Sequence, residues 1–229
     1  DYPVILPMKE RAKVINDLLE EKVTTILPDL MKDTGVDMWG VISREYNEDP
    51  VIKTMLPATW LNARRRTILV MTNQGDSVET LAVARYDVGT VFKKAWDKEA
   101  QPDQWQRLAE IITERDPQKI GLNYSDHYGL ADGLASTDLK QFQEALPAKY
   151  TKRIVSAESL AVGWLETRTD RELTIYKHIC EIAHDIIKEG FTSKVIHPGV
   201  TSTEDVVWWL RDKVRELGLI TWFHPTVSI

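Results

Sequence analysis

The sequence predicts an α/β fold in which helices flank a mixed β-sheet, and three observations support this prediction. Between residues 8 and 157, segments with apolar residues at helical spacing alternate with short apolar runs typical of strands. The turn-rich stretch NQGDS at 73–77 separates two such runs and indicates a hairpin. After residue 158 the pattern changes to helix. Alternation of this kind is typical of helices packed on a sheet, followed by a helical segment.

The first elements are two helices and a strand. Residues 8–33 carry apolar residues at helical spacing, Pro28 suits the early turn of a second helix, and Gly35 is placed for a left-handed cap. The next segment, VDMWGVIS at 36–43, has the composition of a buried strand.

The remaining elements of this part continue the alternation. The predicted strands are RTILVMT (66–72), ETLAVARY (79–86), KIGLN (119–123) and KRIVSA (152–157). The predicted helices are DQWQRLAEIITER (103–115) and STDLKQFQEAL (136–146), the second with Ser136 as its N-cap. We assign residues 1–157 to one α/β domain.

Residues 158–229 are predicted to begin a second domain. Segment 159–191 consists almost entirely of helix formers, and its predicted inward-facing residues are Leu173, Tyr176, Cys180 and Ile187. The following helix is predicted to start at a capping box of Thr201 and Glu204 and to end near Gly218.

One face of this last helix is apolar. Its members recur at steps of four, four and three, and are Val206, Leu210, Val214 and Leu217. The stretch ITWFHPTVSI at 220–229 then reads as apolar and strand-like.

Composition excludes several classes of protein. A net charge of −6 argues against nucleic acid or an anionic membrane as the main partner. No apolar run approaches the roughly 18 to 20 residues of a membrane-spanning helix, so we expect a soluble protein, cytoplasmic or exported after removal of an N-terminal segment. The chain begins with Asp1 rather than Met, which predicts a processed or cut N-terminus. With Cys180 as its single cysteine, the chain forms no intramolecular disulfide.

Helix segment 178–185 holds metal-ligating side chains, but too few of them. Glu181 and His184 have the Glu-x-x-His spacing of carboxylate-bridged metal sites, and Cys180 lies four residues before His184, the reach of a shared zinc ion. Either site needs further ligands from other segments, and no second Glu-x-x-His lies nearby. We therefore favour a solvated helix face, and predict neither metal ligands nor catalytic residues in this chain.

Two polar segments are candidates for binding. Arg64, Arg65 and Arg66 suit a carboxylate or phosphate, although arginines at the start of a strand more simply pair with nearby acids. The segment ISREYNEDPVIKTMLP at 42–57 follows the first strand at its carboxyl end, where sites of α/β proteins gather. Two interpretations of it stay open: a functional or interface loop, or a polar loop capped by Asp49.

Four segments together resemble the creatinase/prolidase/aminopeptidase P family, the pita-bread metallopeptidases. In chain order they are ERAKVINDLLEEKVTTILPDLMKDTGVDMWGV, SREYNEDP, LAVGWLETRTDRELTIYKHICEIAHDII and HPGVTSTEDVVWWLRDKVRELGL. The first resembles the opening of that family's N-terminal domain, and the second a loop of a bacterial subgroup of Xaa-Pro peptidases. The last two resemble the crossing into the catalytic domain and its next helix. The resemblance runs over nearly the whole chain.

The resemblance implies an N-terminal creatinase-like domain at 1–157 and the beginning of an α+β pita-bread domain at 158–229. It further implies a homodimeric aminopeptidase or dipeptidase that hydrolyses the bond before a proline in the second position. The family's metal ligands are two aspartates, a histidine and two glutamates, and none has a matching position in this chain. Two divalent ions (Mn, Zn or Co) are therefore expected only in a longer parent protein, and this chain is expected to be inactive alone.

The resemblance also points to site residues and to alternatives. Arg44 and Tyr46 are candidates for residues contributed to the neighbouring subunit's pocket, and His224 lies near the start of the family's substrate pocket. The alternative functions are a non-catalytic family member used for binding, as in a histone-chaperone subunit with a similar module, or a free-standing domain used in dimer assembly.

An expectation about order follows from the missing catalytic sheet. The helices at 170–190 and 203–217 would lack the sheet they cover, which leaves Trp208 or Trp209 with Trp222 and Phe223 uncovered. We expect residues 1–157 to form a stable unit, and the C-terminal segment to be buried in a dimer or poorly ordered.

Overall fold

The computed structural model describes residues 2–229, which divide into two compact units. The larger, which we name the sheet unit, is Met8–Thr169. The smaller, which we name the helical unit, combines residues 2–7 with Asp170–Ile229. No helix within residues 2–229 combines the length and the apolar character that crossing a bilayer needs.

The sheet unit alternates helices and strands along the chain. Its helices are α1 (Met8–Thr25), α2 (Leu27–Thr34), α3 (Pro50–Lys53), α4 (Gln104–Arg115), α5 (Ser136–Ala145), α6 (Ala148–Thr151) and α7 (Glu158–Glu166), with a 3-10 turn at Gly129–Ala131. Its strands are β1 (Met38–Arg44), β2 (Arg66–Asn73), β3 (Val78–Val83), β4 (Lys93–Lys94), β5 (Ile120–Leu122) and β6 (Ile154–Ser156).

The six strands of the sheet unit form one mixed sheet in the order β4-β3-β2-β1-β5-β6. Strands β1, β2 and β3 are antiparallel neighbours, whereas β5 runs parallel to both β1 and β6. The hairpin predicted at 73–77 joins β2 to β3, with Asn73 opposite Val78. The predicted class, an α/β fold with a mixed sheet flanked by helices, is confirmed.

Strand residues alternate between two hydrophobic clusters, one on each face of the sheet. On β1, Trp39 and Val41 pack with α1, α2, α3 and α7, whereas Met38 and Ile42 pack with α4, α5 and α6. Helices therefore cover both faces, which explains why β1 is apolar at nearly every position rather than at every second one.

Helix α7 belongs to the sheet unit. Leu160, Ala161 and Trp164 join the cluster around Trp39, and the Trp164 ring meets the Trp39 ring edge-on with centroids 6.4 Å apart. The chain leaves helical geometry at 167–169 before α8 begins. The compact units therefore divide after Thr169, whereas the predicted domain boundary falls after residue 157.

The helical unit is built on two helices, α8 (Asp170–Gly190) and α9 (Thr203–Glu216). They pack through Ile182 and Ile186 of α8 against Val206 and Leu210 of α9. The predicted apolar face of α9 is confirmed, since Val214 and Leu217 also pack against this cluster.

Residues 2–7 complete the helical unit from the other end of the chain. Tyr2 and Ile5 pack on the cluster between α8 and α9. The Tyr2 hydroxyl donates a hydrogen bond to Glu189, and His178 Nε2 hydrogen-bonds the Val4 carbonyl oxygen at 2.8 Å. Residues 2–7 thus pack on helices that lie more than a hundred residues further along the chain.

Two predicted helix caps were wrong by one residue. The capping box of α9 joins Ser202 and Asp205, because the Thr201 hydroxyl instead accepts a hydrogen bond from the His197 backbone at 2.9 Å. Helix α5 has Ala135 at its N-cap position, so Ser136 is its first helical residue and makes no capping hydrogen bond.

Two predictions about the C-terminal part were also wrong. Leu173, Tyr176 and Ile187 of α8 are exposed and Cys180 is half-buried, because α9 packs on the neighbouring face that holds Ile182 and Ile186. The stretch 220–229 forms no strand, since its backbone has only bends and irregular structure. Its large apolar side chains are exposed, and they are Ile220, Trp222, Phe223 and Ile229.

Candidate functional site

The carboxyl ends of β1 and β5 form the natural place for a site in this sheet. The two strands are parallel neighbours, so their carboxyl ends lie at the same edge of the sheet. After β1 the chain enters α3, and after β5 it forms the 3-10 turn Gly129–Ala131, and both pack in the cluster of Trp39. Sites of α/β proteins gather at the carboxyl ends of strands.

A buried polar network joins the two strand ends. The Asp49 carboxylate accepts hydrogen bonds from the Val51 backbone at 2.7 Å and from Asn123 Nδ2 at 2.9 Å. Asn123 Oδ1 in turn accepts from the Trp39 indole at 2.8 Å, and the Asp49 backbone donates to Ser43 Oγ at 3.0 Å. Asp49 is thus the N-cap of α3, as the capped-loop interpretation predicted, and it also fixes the segment after β5.

Burial determines the protonation chemistry of Asp49. Desolvation raises the pKa of its carboxyl above the ordinary value of 3.8, and the nearby charge of Asp132 adds to the rise. Hydrogen bonds from Asn123 and from the amides of Val51 and Ile52 act in the opposite direction without cancelling the effect of burial.

This raised pKa predicts a pH dependence of stability. The folded state retains the proton of Asp49 to higher pH than the unfolded chain does, so stability falls as pH rises from about 3.8 through the higher folded pKa. Urea unfolding of the wild type and of Asp49→Asn should show that the wild type loses stability relative to the variant across this interval. A difference that stays constant, or that grows in favour of the wild type as pH rises, would contradict the prediction.

The turn that ends β1 holds Tyr46 in a strained backbone conformation. Its φ is 68°, in the left-handed region, and its side chain is 83% exposed. The Asn47 backbone amide closes the turn by donating a hydrogen bond to the Arg44 carbonyl oxygen at 3.0 Å. The Tyr46 backbone amide donates a second one to Glu48 Oε1 at 3.0 Å. The Tyr46 ring is therefore exposed to solvent on a turn that two hydrogen bonds stabilise.

A second strained residue lies beside this turn. Arg65 also has a left-handed backbone, with φ 57°, and its amide donates to Glu45 Oε2 at 3.1 Å. The Glu45 backbone amide in turn donates a hydrogen bond to the Arg65 carbonyl oxygen at 2.6 Å. Residues in such conformations persist where the surroundings determine them strongly, and they cluster at functional sites.

The strain at Tyr46 can be measured by comparing two truncations of its ring. We expect Tyr46→Gly to be more stable than Tyr46→Ala by about 1 kcal/mol, because glycine adopts left-handed geometry without the steric cost that a Cβ brings. Chemical denaturation of the two variants checks this difference directly, and both have lost the same ring. An alanine variant as stable as the glycine variant would show that the turn relaxes without strain.

The three consecutive arginines have separate partners. The Arg64 guanidinium stacks on Trp60 at 4.1 Å, Arg65 is held by Glu45, and Arg66 Nε lies 3.2 Å from Asp138 Oδ1. They therefore do not converge on one ligand. The predicted pairing with nearby acids describes the side chain of Arg66, whereas Arg64 stacks on an aromatic ring and Arg65 meets Glu45 through its backbone amide.

Arg44 and Tyr46, the predicted binding residues of the sheet unit, share the turn after β1. Arg44 Nε lies 3.0 Å from Asp138 Oδ2, and the Arg44 side chain is 40% exposed. Asn123 and Asp138, which organise this region, were not among the predicted site residues. The only sequence signal for Asn123 was its position at the end of the predicted strand KIGLN.

His224, the third predicted site residue, belongs to the helical unit. It is exposed and lines an open groove of about 530 Å³ between the second half of α9 and residues 219–225. Trp208, Arg211 and Arg215 also line this groove. His224 and the turn of Arg44 and Tyr46 therefore belong to different compact units.

The metal-ligating side chains of α8 do not assemble into a site. Within residues 2–229 no group of three or more His, Cys, Asp or Glu side chains is arranged to hold a metal ion. His178, one of this set, is engaged with the Val4 carbonyl.

Comparison with known proteins finds a likeness among solved structures. No protein-family model matches the chain, and no curated protein matches it. Among solved structures, the chain is similar to an Xaa-Pro dipeptidase from Bacillus anthracis, with 16% identity and a TM-score of 0.49. The likeness covers 88% of this chain and 49% of the other, so this chain spans about half the length of that dipeptidase. At this identity and score, the likeness supports no argument about activity.

Proposed function

We propose that this chain is the N-terminal, non-catalytic portion of an Xaa-Pro-type metallopeptidase that hydrolyses the peptide bond before a proline. The sequence resemblance in four ordered segments suggests this role. The observation that carries it is the uncovered apolar surface of the helical unit. Leu173, Tyr176 and Ile187 of α8, with Trp208 of α9, are exposed although they are large and apolar.

Several large apolar side chains exposed on the same two helices favour a covering partner. Fully burying one such side chain contributes roughly 1.5 to 3 kcal/mol, and exposed apolar side chains in number favour association. In the proposed parent protein, further chain supplies a catalytic sheet that packs on these helices. The same sheet would carry the two aspartates, the histidine and the two glutamates that the family resemblance implies.

The residues of this chain do not fit the implied metal ions. We propose that the two divalent ions (Mn, Zn or Co) are held by the additional chain, since within residues 2–229 the candidate ligands do not reach a group of three. On this proposal the chain's own role is positional rather than catalytic. We propose that it assembles the homodimer, that Arg44 and Tyr46 reach the neighbouring subunit's peptide-binding pocket, and that His224 lies at the start of its own pocket.

The proposal is tested by comparing this chain with the longer product of its gene. Both proteins are incubated with Mn²⁺, Zn²⁺ or Co²⁺ and assayed for release of the N-terminal residue from Ala-Pro and from Ala-Pro-Ala. We expect hydrolysis by the longer protein and none by the 229-residue chain. Absence of activity from the longer protein, or activity of this chain alone, would overturn the proposal.

A binding module without catalysis is the second candidate, and the Tyr46 turn favours it. An exposed aromatic ring on a rigid turn is typical of the residues that dominate protein interfaces. In this case the longer protein binds proline-containing peptides or dimerises but does not hydrolyse them. A peptide that stays intact while bound to the longer protein in the presence of metal would select this candidate.

A further inference from the structure

An exposed arginine of the sheet unit is held against two aromatic rings. The Arg64 guanidinium carbon lies 4.1 Å from the centre of the Trp60 ring and 5.7 Å from that of the Tyr86 ring. The Arg64 backbone is fixed as well, since its amide donates to Thr67 Oγ1 at 3.3 Å and its carbonyl oxygen accepts from the same hydroxyl at 3.1 Å. The ring contacts are cation–π contacts, so they restrict the guanidinium without neutralising its charge.

No acid compensates the charge of this arginine. Within residues 2–229, the exposed side chains of Arg64 and of Arg85, which precedes Tyr86 in the chain, form no ion pair. The chain as a whole has more acidic than basic residues, with a net charge of −6. These two arginines are therefore a local positive charge on an acidic protein.

Apolar side chains next to Arg64 are exposed too. Leu61 is 92% exposed and Tyr86 is 54% exposed, whereas Trp60 is half-buried and packs on the cluster around Trp39. We name the set of five residues the arginine patch, and its members are Trp60, Leu61, Arg64, Arg85 and Tyr86. Trp, Tyr and Arg are the residue types that contribute most of the binding energy in protein interfaces.

Charge distinguishes between the classes of partner. A symmetric dimer formed through this patch would bring the same arginines of two copies face to face, which like-charge repulsion opposes. The net charge of the chain opposes binding of nucleic acid, whose phosphates also offer no apolar contact to Leu61. A protein segment with both carboxylate and apolar side chains matches the arginines and Leu61 together.

We propose that the arginine patch docks an acidic segment of another protein, with a Glu or Asp side chain on the Arg64 guanidinium and an apolar side chain against Leu61. A guanidinium stacked by its face keeps the N–H groups in its plane available to a carboxylate. Because Arg64 is already ordered in the free chain, binding costs less side-chain entropy than at a mobile arginine. This docking surface is independent of the peptidase assignment.

The test uses the 229-residue chain and two matched peptides, acetyl-Leu-Glu-Glu-Leu-Glu amide and its glutamine counterpart, acetyl-Leu-Gln-Gln-Leu-Gln amide. Binding is followed by the NMR signals of the Arg64 Nε–H group and the Trp60 indole N–H group. We expect the acidic peptide to bind at least about tenfold more tightly, because hydrogen bonds between charged groups are the strong ones. Raising the NaCl concentration from about 0.05 to about 0.5 M should weaken binding of the acidic peptide alone.

Substitutions separate the charged from the apolar contribution. Arg64→Gln should remove the preference for the acidic peptide, and Arg64→Lys should restore it only in part, since lysine lacks the planar fork. Leu61→Ser should weaken binding of both peptides, and because Leu61 is so exposed the change leaves the fold intact. Lys140→Gln, at a lysine of α5 that is 77% exposed, is the matched control and should leave both affinities unchanged.

Three binding results would overturn the docking surface. They are an acidic peptide that binds no more tightly than the glutamine peptide, an unchanged preference in Arg64→Gln, and displacement of the acidic peptide by equimolar inorganic phosphate, which would mark a general anion site. Sedimentation of the chain alone gives a fourth test. If the chain dimerises and Arg64→Gln makes it monomeric, the patch binds a second copy of this chain instead.

Discussion

Replacing Trp164 with alanine is expected to lower the free energy of unfolding of the sheet unit by about 4 kcal/mol, because large aromatic-to-alanine changes in cores cost roughly 3 to 5 kcal/mol. The Trp164 side chain is 1% exposed and packs edge-on against Trp39. The ammonium of Lys22 lies 4.8 Å from its ring centre, and its indole donates to Thr54 Oγ1 at 2.8 Å. The change therefore removes a core side chain together with the hydrogen bond that its indole donates to Thr54.

Urea denaturation, followed by circular dichroism, measures this effect. Trp208→Ala is the control, since Trp208 is half-exposed on the other unit and should change stability by less than about 1 kcal/mol. Trp164→Phe separates the two contributions, because it keeps most of the packing and loses the hydrogen bond. A loss below about 1.5 kcal/mol for Trp164→Ala would mean that α7 is not integral to the sheet unit.

Replacing Asp49 with alanine is expected to lower the free energy of unfolding by about 2 to 3 kcal/mol. Two interactions are lost. The N-cap of α3 contributes about 1 kcal/mol, and leaving the buried Asn123 amide without its hydrogen-bond partner costs about 1 to 3 kcal/mol. Removing a buried carboxylate relieves its desolvation, which keeps the total below the sum of the upper limits.

Replacing Gly133, which lies against Asp49, gives an independent check of this contact. A Cβ on Gly133 would lie 2.4 Å from the Asp49 carboxyl carbon and 2.8 Å from Asp49 Cα. Gly133→Ala should therefore destabilise the unit by displacing Asp49, and the double variant with Asp49→Ala should lose less than the two single changes together. Asp76→Ala, in the exposed hairpin turn, is the neutral control. Strict additivity of the two changes would contradict the contact between these residues.

Local signals predicted the parts of the fold that depend on neighbouring residues. The hairpin between β2 and β3 follows from the turn residues at 73–77, and Gly35 adopts the left-handed cap, with φ 65°, that its position after α2 predicted. Both depend on a few consecutive residues, whose backbone preferences are strong.

Contacts between distant residues could not be predicted in the same way. The bond between Asp49 and Asn123 joins residues 74 positions apart, and it exists because β1 and β5 are neighbours in the sheet. The inward face of α8 was misassigned for a related reason. Its apolar residues cover more than one face, and only the position of α9 decides that Ile182 and Ile186, rather than Leu173 and Tyr176, are buried.

Because residues 2–7 pack in the helical unit, the two units can fold only in a certain order during synthesis. Tyr2 contacts Glu189 across 187 positions and Val4 contacts His178 across 174, so these contacts cannot form until α8 has been synthesised. The sheet unit, whose residues lie between, can fold first as the ribosome releases it. Residues 2–7 are thus translated before the sheet unit but pack after it, and a ribosome that pauses before α8 holds a folded sheet unit while residues 2–7 still lack their packing partners.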